Sequence, residues 1–389
     1  MTARRQESEP TSGFAAQGPQ VPMLPRPRDD LGEFQPYRTQ QMPASVRLNA
    51  NEWAEPNTAG RWLGAAELDA LLLNRYPARN DPRELLAAKW SVLPEQLIFG
   101  NGSNEVLLYT FLAFGGHGRT TLVFEPTYSM HGRLATIAGG AVAQEQIGLP
   151  YDITLDRALA ATARAKPHIV VFCTPNNPTG NRLDDEVILG VAERYPETLV
   201  VVDEAYSDFA GFTLLPAMKR FPNIVISKTF SKVRAAAGLR LGVVVAHPEL
   251  AAVYRAVQLP YNVNAITLAV AARMIKDESA LEHRIELARQ ERDKVYAALT
   301  RVTALEAFPS VTNFILFRLK DGDTGGTHRR FLEQDVLIRD ISMWPGCEGC
   351  LRVSIGTPAE NDRFIAALDP VFSLHRAGTR ETVARERAG

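Results

Sequence analysis

The apolar residues of this chain fall into short unbroken runs separated by longer stretches of mixed pattern. The runs are "QLIFG" (96–100), "TTLVFE" (120–125), "IVVFC" (169–173), "LVVVD" (199–203), "NIVIS" (223–227) and "LGVVVAH" (241–247). Each is rich in Val, Ile and Phe, the composition of a strand covered on both faces. Helix-like segments lie between them, among them an apolar stretch at about 104–114. That alternation predicts an α/β fold with a largely parallel sheet. After about residue 262 the pattern changes. Residues 263–300 are charged and alanine-rich and read as one or two amphipathic helices. Strand-like "NFILFRL" and "CLRVSIG" then alternate with polar stretches, which predicts a smaller α+β domain over 263–375. The large domain is expected over 61–262, a proline-punctuated arm over 31–60, a disordered tail over 1–30 and a frayed tail over 376–389.

Composition narrows the function. The 389 residues are 46% hydrophobic, enough for more than one core, and the formal net charge is −1. There is no basic run to track a phosphate backbone and no overall field to draw the chain to nucleic acid or an anionic membrane. The first residues, "MTARRQESEPTSGFAAQ", carry no apolar core of a secretory signal, and no window has the length to span a bilayer. A cytoplasmic protein is expected. Three cysteines make no disulfide framework. The "CEGC" at 347–350 lacks a second ligand pair, so it reads as a turn rather than a metal or redox site, and Cys173 reads as core.

Ligands of open parallel sheets bind beyond the carboxyl ends of the strands, so the residues after each run matter most. After "LIF" comes Gly100-Asn101-Gly102-Ser103-Asn104-Glu105, either an anion-binding helix start or an ordinary turn. After "LVF" comes Tyr128, suited to stack on a flat ring or simply packed; after "IVVFC" comes Asn177 between two prolines. Asp203 follows four apolar residues, where a carboxylate is costly without a positive partner, and Tyr206 follows it. Then come two Ser-Lys pairs, Ser227-Lys228 and Ser231-Lys232, with Thr229 and Arg240 nearby. A ligand that uses all of these is a phosphorylated, aromatic, nitrogen-containing aldehyde. Pyridoxal 5′-phosphate fits that description, since lysine condenses with its aldehyde and an acid pairs with its ring nitrogen. These residues alone leave open which lysine it is.

The ordered pieces "LNANE", "NRYP", "GNGSNE", "PTYSM", "TPNNPTGN", "VVDEAY", "TFSK", "AGLRLG", "LPYNVN", "VLIRD" and "CLRVSIGTPAEND" resemble the fold-type I pyridoxal-phosphate aminotransferases, and within them the histidinol-phosphate aminotransferase family. The resemblance implies a large domain with a mostly parallel seven-stranded sheet, a small α+β domain, and a homodimer that the arm helps to join. It assigns the aldehyde-binding lysine to Lys232, which has Ser231 before it, Thr229 three before and Arg240 eight after. It places Asp203 on the ring nitrogen, Tyr206 and Asn177 on the phenolic oxygen, and Tyr128 on the ring face. Gly102, Ser103, Asn104, Thr229, Ser231 and Arg240 would surround the phosphate, with Tyr76 reaching the partner subunit's. Arg352 would clamp the substrate carboxylate, and Arg339, Tyr37, Asn51, Tyr261 and Asn262 would meet the rest of the substrate. The implied reaction is transamination between an amino donor and a 2-oxo acid, either histidinol phosphate with 2-oxoglutarate or an aromatic amino acid in the donor's place. Three positions depart from the family. Trp53 and Ala54 stand where Asn and Pro are usual, Val233 and Arg234 where Ala and Phe are usual, and His131 where a tyrosine is usual. Arg234 is expected to tune the lysine, bind an anion or face solvent; Trp53 is expected to re-floor the side-chain pocket.

Overall fold

The computed structural model describes residues 28–31, 42–77 and 81–386, with side chains as far as residue 373. The chain divides into two compact units at Arg38. Of the first, residues 28–31 are described, a short turn over Asp29–Leu31. The disordered tail expected over 1–30 otherwise lies outside the described residues, as does Tyr37.

The second unit contains thirteen strands among its described residues. They are β1 (Val46–Arg47), β2 (Leu97–Asn101), β3 (Thr120–Glu125), β4 (Ala141–Gln146), β5 (Ile169–Cys173), β6 (Leu199–Asp203), β7 (Ile224–Thr229), β8 (Leu241–Val245), β9 (Leu305–Ala307), β10 (Phe314–Leu319), β11 (Val336–Leu337), β12 (Arg339–Asp340) and β13 (Cys350–Ser354). A seven-stranded sheet runs in the order β2-β8-β7-β6-β5-β3-β4. Pairing is parallel from β4 through β7, and β8 runs antiparallel to both of its neighbours.

The uninterrupted apolar runs follow from burial of both faces. Val200, Val202, Val170, Phe172, Ile224 and Ile226 enter one core, with helices Arg83–Trp90, Leu155–Ala165 and Asp185–Arg194. Their neighbours Leu199, Val201, Ile169, Val171 and Val225 enter the core on the other face, with helices Ser103–Phe114, Met130–Ile137 and Pro248–Val257. Alternate side chains point to opposite faces, so a strand sandwiched between helix layers has no polar positions to spare.

A four-stranded antiparallel sheet, β12-β13-β10-β9, forms a separate core with Val295, Phe331, Phe364 and Leu368. Residues 46–48 attach to it, since β1 pairs with β11 and the Leu48 carbonyl accepts from Ser354 N–H at 2.8 Å. Helix Ala265–Met274 falls on the far side of the boundary drawn at 262, yet its Leu268, Val270, Ala271 and Met274 pack into the large-sheet core. Its apolar face decides this, and the second core begins within the long helix Glu278–Thr300. Helix Pro358–Glu386 carries the backbone through residues 376–386, where a frayed tail is expected. Arg, Ala and Glu extend an already nucleated helix at little cost.

Candidate active site

The carboxyl ends of β2, β3, β5, β6 and β7 meet the face of the small sheet that carries Phe314 and Arg352. Lys232 lies three residues beyond β7, half-buried, with its amine donating to the carbonyls of Asn51 at 3.1 Å and Ala50 at 3.3 Å. Its Nζ sits 5.5 Å from the Tyr206 ring. Burial, with the charges of Arg352 and Arg240, outweighs Glu52 and Asp203 and lowers its pKa to about 7. Lys228 is different in kind. It is buried against Glu204 at 2.7 Å, bonds Ser207 at 2.9 Å and lies 3.7 Å from Asp208. Burial opposes its charge, but these two acids raise its pKa. One lysine is held charged by partners; the other is brought towards neutrality.

Asp203 ends β6 with a fully buried side chain and takes two local donors. His131 Nε2–H donates to its Oδ2 at 3.0 Å, and Ala205 N–H to Oδ1 at 3.2 Å. The other ring nitrogen, His131 Nδ1, lies 3.2 Å from the Thr127 hydroxyl. The sequence marks His131 only as a departure from the family. Its value as an Asp203 partner depends on helix Met130–Ile137 bringing it under β6, 72 residues away. Cys173 joins the same group, with the ligand atoms of His131, Cys173 and Asp203 all within 4.8 Å of one another.

Tyr206 is buried, accepts from Asn51 Nδ2 at 3.0 Å, and meets Phe314 edge-on at 5.1 Å. Burial raises its phenol pKa. Asn177 accepts a hydrogen bond from Arg352, which also donates to the Asn49 carbonyl at 3.3 Å and lies over the Phe314 ring at 5.2 Å. Asn51 ties several of these groups together, with its backbone at φ 54°. Its N–H donates to Ser354 at 2.8 Å and its carbonyl accepts from Asn313 at 3.2 Å. Asn49, Asn313, Phe314 and Ser354 are site-wall residues that the sequence reading missed. In sequence Asn313, Phe314 and Ser354 look like ordinary ends of the strand "NFILFRL" and its partner, and Asn49 like part of the arm.

Around Lys232 the polar groups form a second cluster. The Thr229 hydroxyl donates to Ser231 at 3.1 Å, Arg240 reaches Ser231 at 3.4 Å, and Tyr128 donates to Asn104 at 3.1 Å. Helix Ser103–Phe114 begins at Gly102, φ 82°, with no side-chain cap. A Cβ at Gly102 would stand 2.3 Å from the Arg240 guanidinium, and one at Gly242 would stand 2.3 Å from the Gly102 carbonyl carbon. Glycine is required here for close approach, and the free N–H groups of the first turn make the place suited to an anion.

Arg339 and Arg352 are register partners on adjacent strands, so two arginines stand side by side on one face. Tyr76 and Tyr261, both well exposed, stack on each other with ring centres 4.3 Å apart. Asn262 bonds Glu105 and the Phe99 carbonyl, so it braces the Gly102 loop. Trp53 packs against the cluster of Tyr206, Phe209, Val233 and Phe314, which Leu281 and Ile285 of the long helix also join. Arg234 does not face solvent: it is buried, stacked on Phe230 at 5.1 Å. Cys347 and Cys350 are buried and joined by a turn, Cys350 N–H to the Cys347 carbonyl at 2.9 Å.

Residues 44–368 match the family model described as aminotransferase class I and II. A histidinol-phosphate aminotransferase of Streptomyces avermitilis is 38% identical over 88% of this chain and 95% of its own. That of Caldanaerobacter subterraneus subsp. tengcongensis is 32% identical over 89% and 98%. Among solved structures, histidinol-phosphate aminotransferase from Sinorhizobium meliloti in complex with pyridoxal 5′-phosphate superposes with a TM-score of 0.76 at 22% identity, covering 85% of this chain and 92% of that one. The chain belongs to the class I and II aminotransferase family.

Proposed function

We propose that this protein is a pyridoxal-phosphate-dependent aminotransferase whose amino donor is histidinol phosphate and whose acceptor is 2-oxoglutarate. The arrangement fits the cofactor at both ends. Gly102, Ser103 and Asn104 with Thr229, Ser231 and Arg240 offer the donors a phosphate needs. Asp203 is a buried carboxylate beside a histidine and, among the described residues, without a Lys or Arg ion pair, the partner a protonated ring nitrogen requires. When bound, pyridoxal phosphate supplies the aldehyde that takes up the amino group and the ring that accepts the electron pair from Cα.

The chain supplies the rest. Lys232 Nζ, with its pKa lowered to about 7, takes the proton from the donor's Cα in its free-amine form. Asp203, oriented by His131 and Ala205 N–H, would hold the ring nitrogen in its protonated form. Tyr206 and Asn177 would hold the phenolic oxygen, and Tyr128 would cover the ring. Arg352 orients the substrate through its anionic group. In a 2-oxo acid that group is the α-carboxylate, but histidinol phosphate has none and presents a phosphate ester there. The single observation that carries the donor assignment is the adjacent Arg339–Arg352 pair. One guanidinium suffices for a carboxylate, whereas a dianionic phosphate suits two.

Half-reaction rates measured with each amino donor in turn test this reading. Histidinol phosphate should consume the cofactor's aldehyde form faster than phenylalanine or tyrosine does. Faster conversion with phenylalanine would make the enzyme an aromatic aminotransferase instead.

The depressed lysine gives a pH prediction. A lysine with its pKa lowered to about 7 is largely an ammonium below that pH and largely a free amine above it. Uptake of pyridoxal phosphate by the cofactor-free protein should therefore rise through pH 7 and level off, as followed by absorbance. Continued rise to pH 10 would mean an ordinary lysine.

The active unit is proposed to be a homodimer. Leu72, Leu73, Tyr76, Leu259 and Tyr261 are all more than half exposed, and a second copy would cover them. Sedimentation should give twice the chain mass; a monomer with full activity would remove Tyr76 from any shared site.

A further inference from the structure

Arg234 and Arg284 stand out among the buried charges. Arg284 is 6% exposed and Arg234 5%, each close enough to oppose the other's charge. Neither makes a hydrogen bond or an ion pair among the described residues. Buried guanidinium groups ordinarily pair, because an uncompensated charge costs several kcal/mol. Apart from Glu55, the acids around them are committed elsewhere. Asp208 faces Lys228 at 3.7 Å, Glu278 pairs with Lys89, and Asp277 caps the long helix and pairs with Arg61 at 3.4 Å.

Arg284 lines a cavity of about 280 Å³ between segment 53–61 and the first turns of helix Glu278–Thr300. Arg61 and His283 line it too, with Trp53 as an apolar wall and Glu55 as its one acidic residue. The first turn of the long helix, capped by Asp277, forms one side of the same space. The volume exceeds a bare phosphate and admits a small carbon skeleton. The cavity is separate from the residues proposed to hold cofactor and substrate, but it adjoins them: Asn57, on its wall, bonds the Ala235 carbonyl at 2.8 Å, three residues beyond Lys232.

We propose that this cavity is a second anion site, in which Arg284 and Arg61 bind a phosphate group and thereby compensate the buried Arg234–Arg284 pair. A phosphate is favoured over a carboxylate because the Arg61 and Arg284 guanidinium groups converge with His283 where one fork would serve a carboxylate. This also accounts for Arg234 at a position where the family usually has an apolar ring. It contributes charge to the back of the pocket and does not touch Lys232.

The test uses the holoenzyme, so that the cofactor's phosphate positions are filled. Inorganic phosphate and glycerol 3-phosphate are titrated against chloride at matched ionic strength, with thermal unfolding and tryptophan fluorescence as readouts. Both phosphates should raise the melting temperature saturably and perturb fluorescence, since Trp53 lines the cavity. A stronger response to the ester would identify a phosphorylated metabolite as the natural occupant, and equal responses would identify free phosphate. The response should vanish in Arg284→Gln and persist in Arg339→Gln, which separates this site from the reaction site. Glu55→Gln removes the competing carboxylate and should tighten phosphate binding about three- to tenfold. The proposal is overturned if no saturable response appears, or if Arg284→Gln responds as the wild type does. It is equally overturned if Glu55→Gln destabilises the phosphate-free protein and responds no better, because Glu55 is then the partner of Arg284.

Discussion

Lys232→Ala is expected to lower turnover by about 10⁴-fold or more, whereas Lys228→Ala should leave kcat within about threefold on protein that remains folded. The two lysines are four residues apart and each follows a serine, so apart from the family pattern around Lys232 the local sequence gives no physical reason for the difference. Their surroundings do. Lys232 Nζ touches backbone carbonyls and is drawn towards neutrality, the state a base needs. Lys228 is locked into a buried ion pair with Glu204 and has no route to a reacting atom. Its loss should appear as stability instead, about 3–5 kcal/mol by urea unfolding, because Glu204 is left charged and unpaired inside the protein. Equal loss of turnover in both variants would remove Lys232 from its role.

The second large effect separates the paired arginines. Arg352→Gln should depress kcat/KM for both half-reactions, by about 10²–10³-fold, since each substrate needs its anionic group held there. Arg339→Gln should depress only the histidinol phosphate half-reaction, by about 10- to 150-fold, and leave glutamate nearly untouched. The split arises because a carboxylate fills one fork and a phosphate spans two. A uniform loss in Arg339→Gln would mean that the residue supports Arg352 and reads no phosphate. Steady-state and single-turnover rates with each donor distinguish the outcomes.

Much of the large sheet was legible because its strands are buried on both faces. "LVVVD" and "IVVFC" could hardly be anything but central strands, and the polar residues that end them had nowhere to go except the open edge where ligands bind. The small-sheet contribution was harder to read. Arg352 stands out as a charge in an apolar strand, but Phe314 and Ser354 look like packing until register sets them opposite each other. His131 carries no local signal at all, because its partner Asp203 is distant in sequence and meets it only when helix and sheet stack. The edge of the first core was misplaced because helix Ala265–Met274 resembles the alanine-rich helix after it in composition. Its side chains nevertheless face the other sheet. Arg234 shows the same limit, since a charge beside a loop reads as solvated until the fold closes over it.

Asn51 has a consequence for how the protein moves. Its backbone is in the left-handed region, which asparagine tolerates better than most residues. From that one position it holds Tyr206 with its amide, Lys232 with its carbonyl, and Ser354 and Asn313 of the small sheet. It therefore acts as a clutch between the two sheets. Any swing of the small sheet that opens the cleft first stretches the bonds that hold the base and the phenol. The lysine would then be least well aligned when the cleft is open to water and best aligned when it is shut, so proton transfer and closure would be timed together by a single residue.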